Sequence, residues 1–185
     1  DPHNDQEFAS MDALKHWMPI NLYNGGMEHT TLHLLYSRFW NKFLFDRGLV
    51  PTSEPYARRH SHGLIMGEDG TKMSKSAGKT VNPDGIVKEY GADVLRVYEM
   101  FMGPFEEPVP WNTNGLIGVR RFLERVLKLP TLSVGNLESE EVTRALHKTI
   151  KKITTDIDGF GFNTAVAAMM SFVNEVYSAK SITNE

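Results

Sequence analysis

An apolar run that ends in two glycines and leads into a helical stripe constrains this chain more than any other feature. The run is INLYNGG, residues 20–26, which predicts a buried strand with a tight turn at its carboxyl end. Residues 27–47 follow with helical spacing, and Gly48 stands where that helix should end. The predicted apolar stripe consists of Leu32, Leu35, Phe39 and Phe43. A strand, a glycine turn and a long helix make half of a βαβ unit, so we expect α/β structure here.

The composition is typical of a globular chain. The 185 residues are 41% hydrophobic and 23% charged, enough for one good core or two small ones. No apolar run approaches the ~18 residues of a membrane span, and the start does not resemble a signal peptide. The absence of cysteine excludes disulfides and cysteine-based zinc sites and agrees with a reducing cytoplasm. Because the opening DPHNDQEFASMDALKHW has no initiator methionine, we expect it to be cut from a longer polypeptide.

The middle of the chain predicts a hairpin followed by two short helices. In GLIMGEDGTKMS, residues 63–74, the EDG triplet supplies turn chemistry between two extended arms. Asn82 and Pro83 form a typical helix start, Gly91 ends that helix, and a second helix is expected over 92–102.

The last part of the chain is predicted to be helical throughout. Three prolines in MGPFEEPVPW, residues 102–111, interrupt the preceding pattern and indicate a boundary. Helices are then expected at about 115–129, 140–157 and 164–180. Three such helices are typical of the beginning of a bundle.

The loop GEDGTKMSKSAGKTVNPDG concentrates charge and small residues. Lys72 and Lys75 lie three positions apart between glycines, so both ammonium groups can face one polyphosphate. Ser74 and Ser76 can donate to phosphate oxygens or cap the loop backbone. The alternative is a solvated basic turn. A Walker A loop is disfavoured because Met73 stands where that motif requires its first glycine.

The glycine turn after the first strand is a second candidate site. Gly25 and Gly26 lie where open α/β sheets bind nucleotides, and there the backbone can approach an adenosine. Glu28 can accept hydrogen bonds from ribose hydroxyls or stabilise the helix dipole. His29 and His33, predicted one turn apart on one helical face, fit a metal pair, but no third ligand is evident. Packed or surface histidines are the alternative.

Other histidines and backbone groups carry weaker predictions. His60 and His62 in RRHSHG share a face of a predicted extended arm and are interpreted as structural. The arm that contains Ile65 and Met66 offers backbone groups that could contact adenine.

Positive charge in the helical part is local, because the whole chain has a formal net charge of −3. Two clusters stand out: Arg120, Arg121, Arg125 and Lys128 with one acid, Glu124, and Arg144, Lys148, Lys151 and Lys152 with none between them. Phosphate contacts with RNA and a solvated helical face are both open interpretations.

KMSKS is the signature of class I aminoacyl-tRNA synthetases, and the resemblance extends well beyond it. LYNGGMEHTTLHLLYSRFWNKFLFDRGLV, GEDGTKMSKSAGKTVNPDGIVKEYGADVLRVYEMFMGPFE and GLIGVRRFLERV resemble the catalytic region of bacterial leucyl-tRNA synthetases. The resemblance implies the C-terminal part of a Rossmann-like catalytic domain, at residues 1–53, and a KMSKS hairpin with a stem-contact-like segment, at 54–111. Residues 112–185 would begin the helical anticodon-binding bundle. One departure is the AGK sequence after KMSKS, where the family commonly has a basic residue, glycine and asparagine.

The resemblance also implies a reaction, its substrates and roles for residues. Leucine would be activated by ATP with Mg²⁺ and then transferred to tRNA(Leu). Lys72 and Lys75 would be catalytic, binding ATP with Ser74 and Ser76 as the loop closes. The predicted adenosine-side residues are Gly25, Gly26, Glu28, His29, Ile65 and Met66, and His33 would line the leucine pocket. The predicted tRNA contacts are Arg120, Arg121, Arg125, Lys148, Lys151 and Lys152.

A noncatalytic nucleotide- or RNA-binding relative is the alternative. The partner signature of the class, His-x-Gly-His, does not occur in the sequence, and HSHG at residues 60–63 has the wrong order. Because the motifs that remain are intact, we expect a fragment of an active ligase, inactive by itself, rather than a diverged binding module.

Overall fold

The computed structural model describes residues 1–74, 80–131 and 140–179. Both helices and strands are present, which confirms the expected mixture of α and β structure. The chain divides into two compact units, Asp1–Gly63 and Leu64–Glu185. Lys75, Ser76 and the AGK sequence after them lie outside the described residues.

The first unit opens with a helix that the sequence analysis missed. This helix, α1, spans Met11–Trp17, and the Ser10 hydroxyl oxygen accepts a hydrogen bond from the Ala13 N–H at 3.2 Å. Ser10 followed by Asp12 in the first turn is an ordinary helix-start signal, so the sequence did contain the information.

The same unit contains the βαβ arrangement whose first half the sequence predicts. Strand β1, Tyr23–Gly26, leads through a 3-10 helix, Met27–Thr30, into α2, His33–Asp46, and the chain returns as β2, Arg59–His62. The strands are parallel, with Tyr23 opposite Arg59 and Gly26 opposite His62. The extended arm predicted for His60 and His62 is therefore β2. Parallel strands need a crossover connection, and α2 provides it.

The continuous helix predicted over residues 27–47 is wrong at its amino-terminal end. The 3-10 turn stops at Thr30, and Leu32 has φ −112° and ψ −106°, outside the helical region. A contact from the neighbouring strand accompanies the break: Arg59 Nη2 donates to Thr30 Oγ1 at 2.9 Å and contacts Met27 Sδ at 3.3 Å. The prediction that His29 and His33 share one face of a regular helix is consequently wrong.

Helix α2 is fixed by polar contacts on one side and exposes its apolar stripe on the other. Arg38 donates two hydrogen bonds to the Glu54 carboxylate, at 2.7 and 2.8 Å, and Lys42 pairs with the same group at 2.8 Å. The buried Asn41 side chain donates to the Thr52 carbonyl at 2.8 Å. The stripe that the sequence predicts is 45–66% exposed at Leu32, Leu35, Phe39 and Phe43.

The second unit packs helices around a small strand pair. Its elements are β3, Ile65–Met66; α3, Pro83–Tyr90; α4, Ala92–Phe101; β4, Val109–Pro110; α5, Asn114–Lys128; α6, Glu140–Asp158; and α7, Phe162–Ala179. The helix boundaries predicted at Asn82, Pro83 and Gly91 are confirmed: the Asn82 side chain caps α3, and Gly91 has a φ of +95°.

The core of this unit lies where α4 and α5 meet β4. It consists of Val94, Leu95, Tyr98, Trp111, Leu116 and Val119. The Tyr98 hydroxyl donates to the Asn112 carbonyl at 2.8 Å and accepts from the Asn112 N–H at 3.0 Å. This buried polar pair fixes the connection between β4 and α5. Across the part of the chain that the structure describes, no helix has the length and apolar character needed to cross a bilayer.

Candidate nucleotide-binding site

The glycine turn lies at the carboxyl end of β1, as the sequence predicts. Gly26 is buried, and a side chain there would collide with the Glu28 carboxylate. The absence of a side chain at Gly26 therefore leaves room for the flexible Glu28 side chain to fold back over the end of the strand. This arrangement leaves an exposed carboxylate beside a backbone without side chains, which suits hydrogen bonding to a ribose.

Glu28 and His29 lie together in the 3-10 turn, and both are exposed. The Thr31 hydroxyl donates to the Glu28 carbonyl at 3.4 Å and helps to close the turn. Arg59 holds the same turn from β2. Sequence reasoning missed Arg59, because its partners lie about 30 positions earlier in the chain.

His33 begins α2 and is paired with a tyrosine from β1. The Tyr23 hydroxyl and His33 Nδ1 share a hydrogen bond of 3.1 Å, and the two rings are stacked at 5.8 Å with an interplanar angle of 9°. Tyr56 packs against Tyr23 at 4.5 Å. Sequence reasoning identified His33 but not the tyrosines, although the strand position of Tyr23 before the glycine turn was a usable signal.

The described residues contain no group of three or more His, Cys, Asp or Glu side chains arranged to hold a metal ion. The separation of His29 from His33 by the bend at Leu32 gives the physical reason why these two do not form a helical metal pair.

The lysine loop leaves a hairpin in the second unit. Met66 and Lys72 form an antiparallel bridge, and Gly67 donates its N–H to the Thr71 carbonyl at 2.8 Å. Asp69 fixes the turn by accepting from the Thr71 N–H at 2.9 Å and from its hydroxyl at 2.6 Å. The predicted hairpin is thus present, and Lys72 is exposed on its second arm.

Both flanks of the lysine loop are attached to the core of the second unit. Met73 packs against the core on the amino-terminal side, and Val81 does so on the carboxyl-terminal side. Glu68 adds a polar link, because its carboxylate accepts a hydrogen bond from the Thr113 hydroxyl at 3.3 Å.

The backbone around Ile65 and Met66 is partly committed to strand pairing. These residues pair in parallel with Val109 and Pro110, and the Met66 carbonyl accepts from the Trp111 N–H at 2.9 Å. Fewer groups remain for adenine than an unpaired arm would offer, and the adenine contact stays a prediction.

The basic residues of the helices differ in how they are used. Arg125 donates to Asn174 Oδ1 at 2.5 Å, and its guanidinium lies 4.4 Å from the centre of the Tyr177 ring. Arg120 pairs with Glu124 at 3.0 Å. Arg125 therefore joins α5 to α7, whereas Arg121 is exposed. Contact of these residues with tRNA stays a prediction.

The second basic cluster has acidic partners that lie just outside the window in which the sequence showed none. Arg144 pairs with Glu140 at 2.6 Å, and Lys152 pairs with Asp156 at 2.5 Å, both one helical turn away. The hydrogen bonds from Lys152 and Thr164 lower the pKa of Asp156 below its usual value. Lys148 and Lys151 are exposed beside a groove of about 750 Å³ between α6 and α7, which Glu141 and Glu175 also line.

Comparison with known proteins decides the family. Residues 4–107 match the family model described as tRNA synthetases class I (I, L, M and V), a range of more than half of the chain. The chain belongs to the class I tRNA synthetases. A leucine–tRNA ligase of Alkaliphilus oremlandii (strain OhILAs) is 58% identical over 184 residues, which cover 99% of this chain and 23% of that ligase. The chain thus spans about a quarter of the length of this synthetase relative. The family prediction made from KMSKS is confirmed.

Solved structures of class I synthetases share the fold. The Agrobacterium radiobacter K84 agnB2 LeuRS, in a ternary complex with tRNA and LeuAMS, matches with a TM-score of 0.82 and 36% identity over 89% of this chain and 24% of that chain. A Mycobacterium tuberculosis methionyl-tRNA synthetase with bound methionyl-adenylate matches with a TM-score of 0.67 over 93% of this chain and 37% of that chain. Its 17% identity shows likeness of fold alone.

Proposed function

We propose that this chain is part of a leucine–tRNA ligase, which activates leucine with ATP and transfers it to tRNA(Leu). The observation that carries the proposal is the 58% identity to a leucine–tRNA ligase over 184 residues. That length includes both the glycine turn after β1 and the KMSKS sequence. Because the chain spans 23% of that relative, the activity is proposed for the whole ligase.

In the proposed reaction, the leucine carboxylate attacks the α-phosphorus of ATP in line. A bond forms between the acyl oxygen and phosphorus, the bond to the bridging oxygen breaks, and pyrophosphate leaves with the negative charge. ATP would enter as its magnesium complex, in which phosphate oxygens and water would hold the metal, and the metal would offset phosphate charge. Lys72 and Lys75 neutralise the charge that builds on the leaving oxygens, which stabilises the transition state more than the bound substrate.

The residues of the first unit bind the two halves of the adenylate. Gly25 and Gly26 let the backbone approach the adenosine, and the exposed Glu28 carboxylate accepts hydrogen bonds from the ribose. His29 lies on this adenosine side, while His33 faces the amino acid. The position of Glu28 over the end of β1 and the separate placement of His33 on α2 support this division.

The domain organisation follows from the same proposal. Residues 1–53 belong to the Rossmann-like catalytic domain and residues 54–111 to the KMSKS hairpin and the segment after it. Residues 112–185 begin the anticodon-binding bundle. There Arg121, Lys148 and Lys151 are the stronger candidates for contacts with tRNA phosphates, because they are exposed while Arg125 is engaged with α7.

The test compares two lysines of one loop in the complete ligase. Lys75→Ala should slow leucine-dependent ATP–pyrophosphate exchange by something on the order of 100-fold, because a charge contact of the transition state is lost. Lys79→Ala is the matched control and should have a smaller effect. An unchanged exchange rate in Lys75→Ala would remove the loop from the mechanism.

Two further variants test the pocket. Glu28→Ala should raise the KM for ATP more than the KM for leucine, and His33→Ala should do the reverse. Equal effects on both substrates would contradict the assignment. Binding of RNA without any exchange activity in the complete polypeptide would favour the noncatalytic alternative.

A further inference from the structure

We propose that Tyr23 is a positioning residue that acts through His33, by fixing the orientation and the proton position of the imidazole that faces the amino acid. This inference rests on the proposed function, because it assigns a partner to a residue of the proposed leucine pocket. It is carried by the geometry of the pair rather than by either residue alone.

Two independent contacts join the rings. The 3.1 Å hydrogen bond between the Tyr23 hydroxyl and His33 Nδ1 fixes one edge of the imidazole, and the nearly parallel stacking fixes its plane. A hydrogen bond alone would allow the ring to tilt, and stacking alone would allow it to flip by 180° about its bond to Cβ. Together they select one rotamer and one ring orientation.

The backbone explains why His33 needs such a partner. His33 is the first residue of α2 and follows Leu32, whose dihedral angles are not helical. The imidazole is exposed, so packing against neighbouring side chains does little to restrict it. Tyr23, in contrast, is half-buried on β1, where its backbone N–H donates to the Arg58 carbonyl at 2.8 Å, and its ring rests against Tyr56. The strand thus supplies the rigidity that the start of the helix lacks.

The hydrogen bond also links the tautomer of His33 to the Tyr23 hydroxyl, which can donate to Nδ1 or accept from an Nδ1–H, and in our proposal the hydroxyl is the donor. A phenolic O–H donates readily, and in a neutral imidazole one nitrogen accepts while the other donates. When Tyr23 donates to Nδ1, the proton of His33 stays on Nε2. The amino-acid side then meets a fixed N–H donor, suited to a carboxylate or acyl oxygen and unsuited to an ammonium group.

The decisive experiment is a double-mutant cycle in the complete ligase. Tyr23→Phe keeps the ring and its stacking but removes the hydroxyl, and it should raise the KM for leucine about 3- to 10-fold with little change in the KM for ATP. In a His33→Ala background the same change should have no further effect, because its route of action is gone. Tyr56→Phe is the matched control, one ring away from His33, and should leave both constants unchanged.

The possible failures are distinguishable. Equal effects of Tyr23→Phe with and without His33 would overturn the proposal and indicate a direct role of the hydroxyl. No effect of Tyr23→Phe, where His33→Ala does weaken leucine binding, would also overturn it. Absence of leucine-dependent exchange in the unmodified ligase would instead refute the proposed function.

A spectroscopic measurement tests the hydrogen bond without any activity. In ¹⁵N-histidine-labelled protein, Tyr23→Phe should shift the Nδ1 resonance of His33, because an acceptor nitrogen loses its donor, whereas Tyr56→Phe should leave it in place. An unshifted resonance in Tyr23→Phe would overturn the proposal.

Discussion

Replacing Leu116 with alanine should lower the free energy of unfolding of the second unit by about 3 to 4 kcal/mol. Leu116 is fully buried at the centre of the core, among Tyr98, Trp111 and Val119. Removing its three terminal carbon groups loses about 2.4 kcal/mol of transfer free energy at ~0.8 kcal/mol each. The cavity that remains adds about 1 kcal/mol, because the surrounding side chains relax only partly.

The assay can isolate the second unit by its tryptophan. Trp111 is 5% exposed and lies in the core next to Leu116, whereas Trp17 and Trp40 belong to the first unit. With these two changed to phenylalanine, the fluorescence of Trp111 during urea denaturation reports on this core. The slope of the free energy of unfolding against urea concentration should be the same in all variants, so that a shift of the urea midpoint measures the change in stability.

The control is a leucine of the same helix. Leu127 is 78% exposed, and Leu127→Ala should change stability by less than about 0.5 kcal/mol. Similar losses for both leucines, or a loss below about 1 kcal/mol for Leu116→Ala, would refute the placement of Leu116 at the centre of the core.

Two other predictions concern pH and glycine. Hydrogen bonds from Arg38 and Lys42 lower the pKa of Glu54 from 4.5 to about 2. This contact should therefore stabilise the first unit fully above pH 4.5, and the stabilisation should be lost as pH falls towards 2. Acid titration by circular dichroism should show that Glu54→Gln removes this part of the pH dependence; an identical acid transition would contradict it. Gly115→Ala should destabilise the second unit by about 1–3 kcal/mol, because its methyl group would collide with the Tyr98 ring. Gly118→Ala is the control: open space surrounds this position, so the substitution should stabilise the helix by about 0.5–1 kcal/mol. Thermal melts that shift in the same direction for both would contradict this account.

Local signals in the sequence predicted the elements whose ends are decided locally. Asn82, Pro83 and Gly91 set the limits of α3 through a side-chain cap, a fixed φ and a left-handed φ, all of which depend on neighbouring residues. The bend between the 3-10 turn and α2 was not predictable in this way. It accompanies contacts from Arg59, which lies on another strand.

In the candidate site, too, features decided by neighbouring residues could be predicted, whereas contacts between distant residues could not. The residue types and spacing around Gly26 and Lys72 were sufficient to identify the glycine turn and the hairpin arm. The Tyr23–His33 contact was not visible, because ten positions and a change of secondary structure separate the two rings. For Arg125, the local charge left an RNA contact and a solvated helical face both open, whereas the fold engages the guanidinium with Asn174 and Tyr177. Charge in a sequence predicts a possible contact but not which partner is nearer.

The pairing of β3 with β4 has a consequence for the order of events during synthesis. Ile65 pairs with Val109, so the sheet partner of Ile65 leaves the ribosome about 44 residues after it. At about 5 to 20 residues per second, this delay lasts roughly 2 to 9 seconds. Throughout that interval the hairpin lacks its sheet partner, whereas its turn contacts, between Gly67 and Thr71 and between Met66 and Lys72, can already form. Slow translation of residues 67–108 would prolong the time in which a nascent chain carries this arm without its sheet partner.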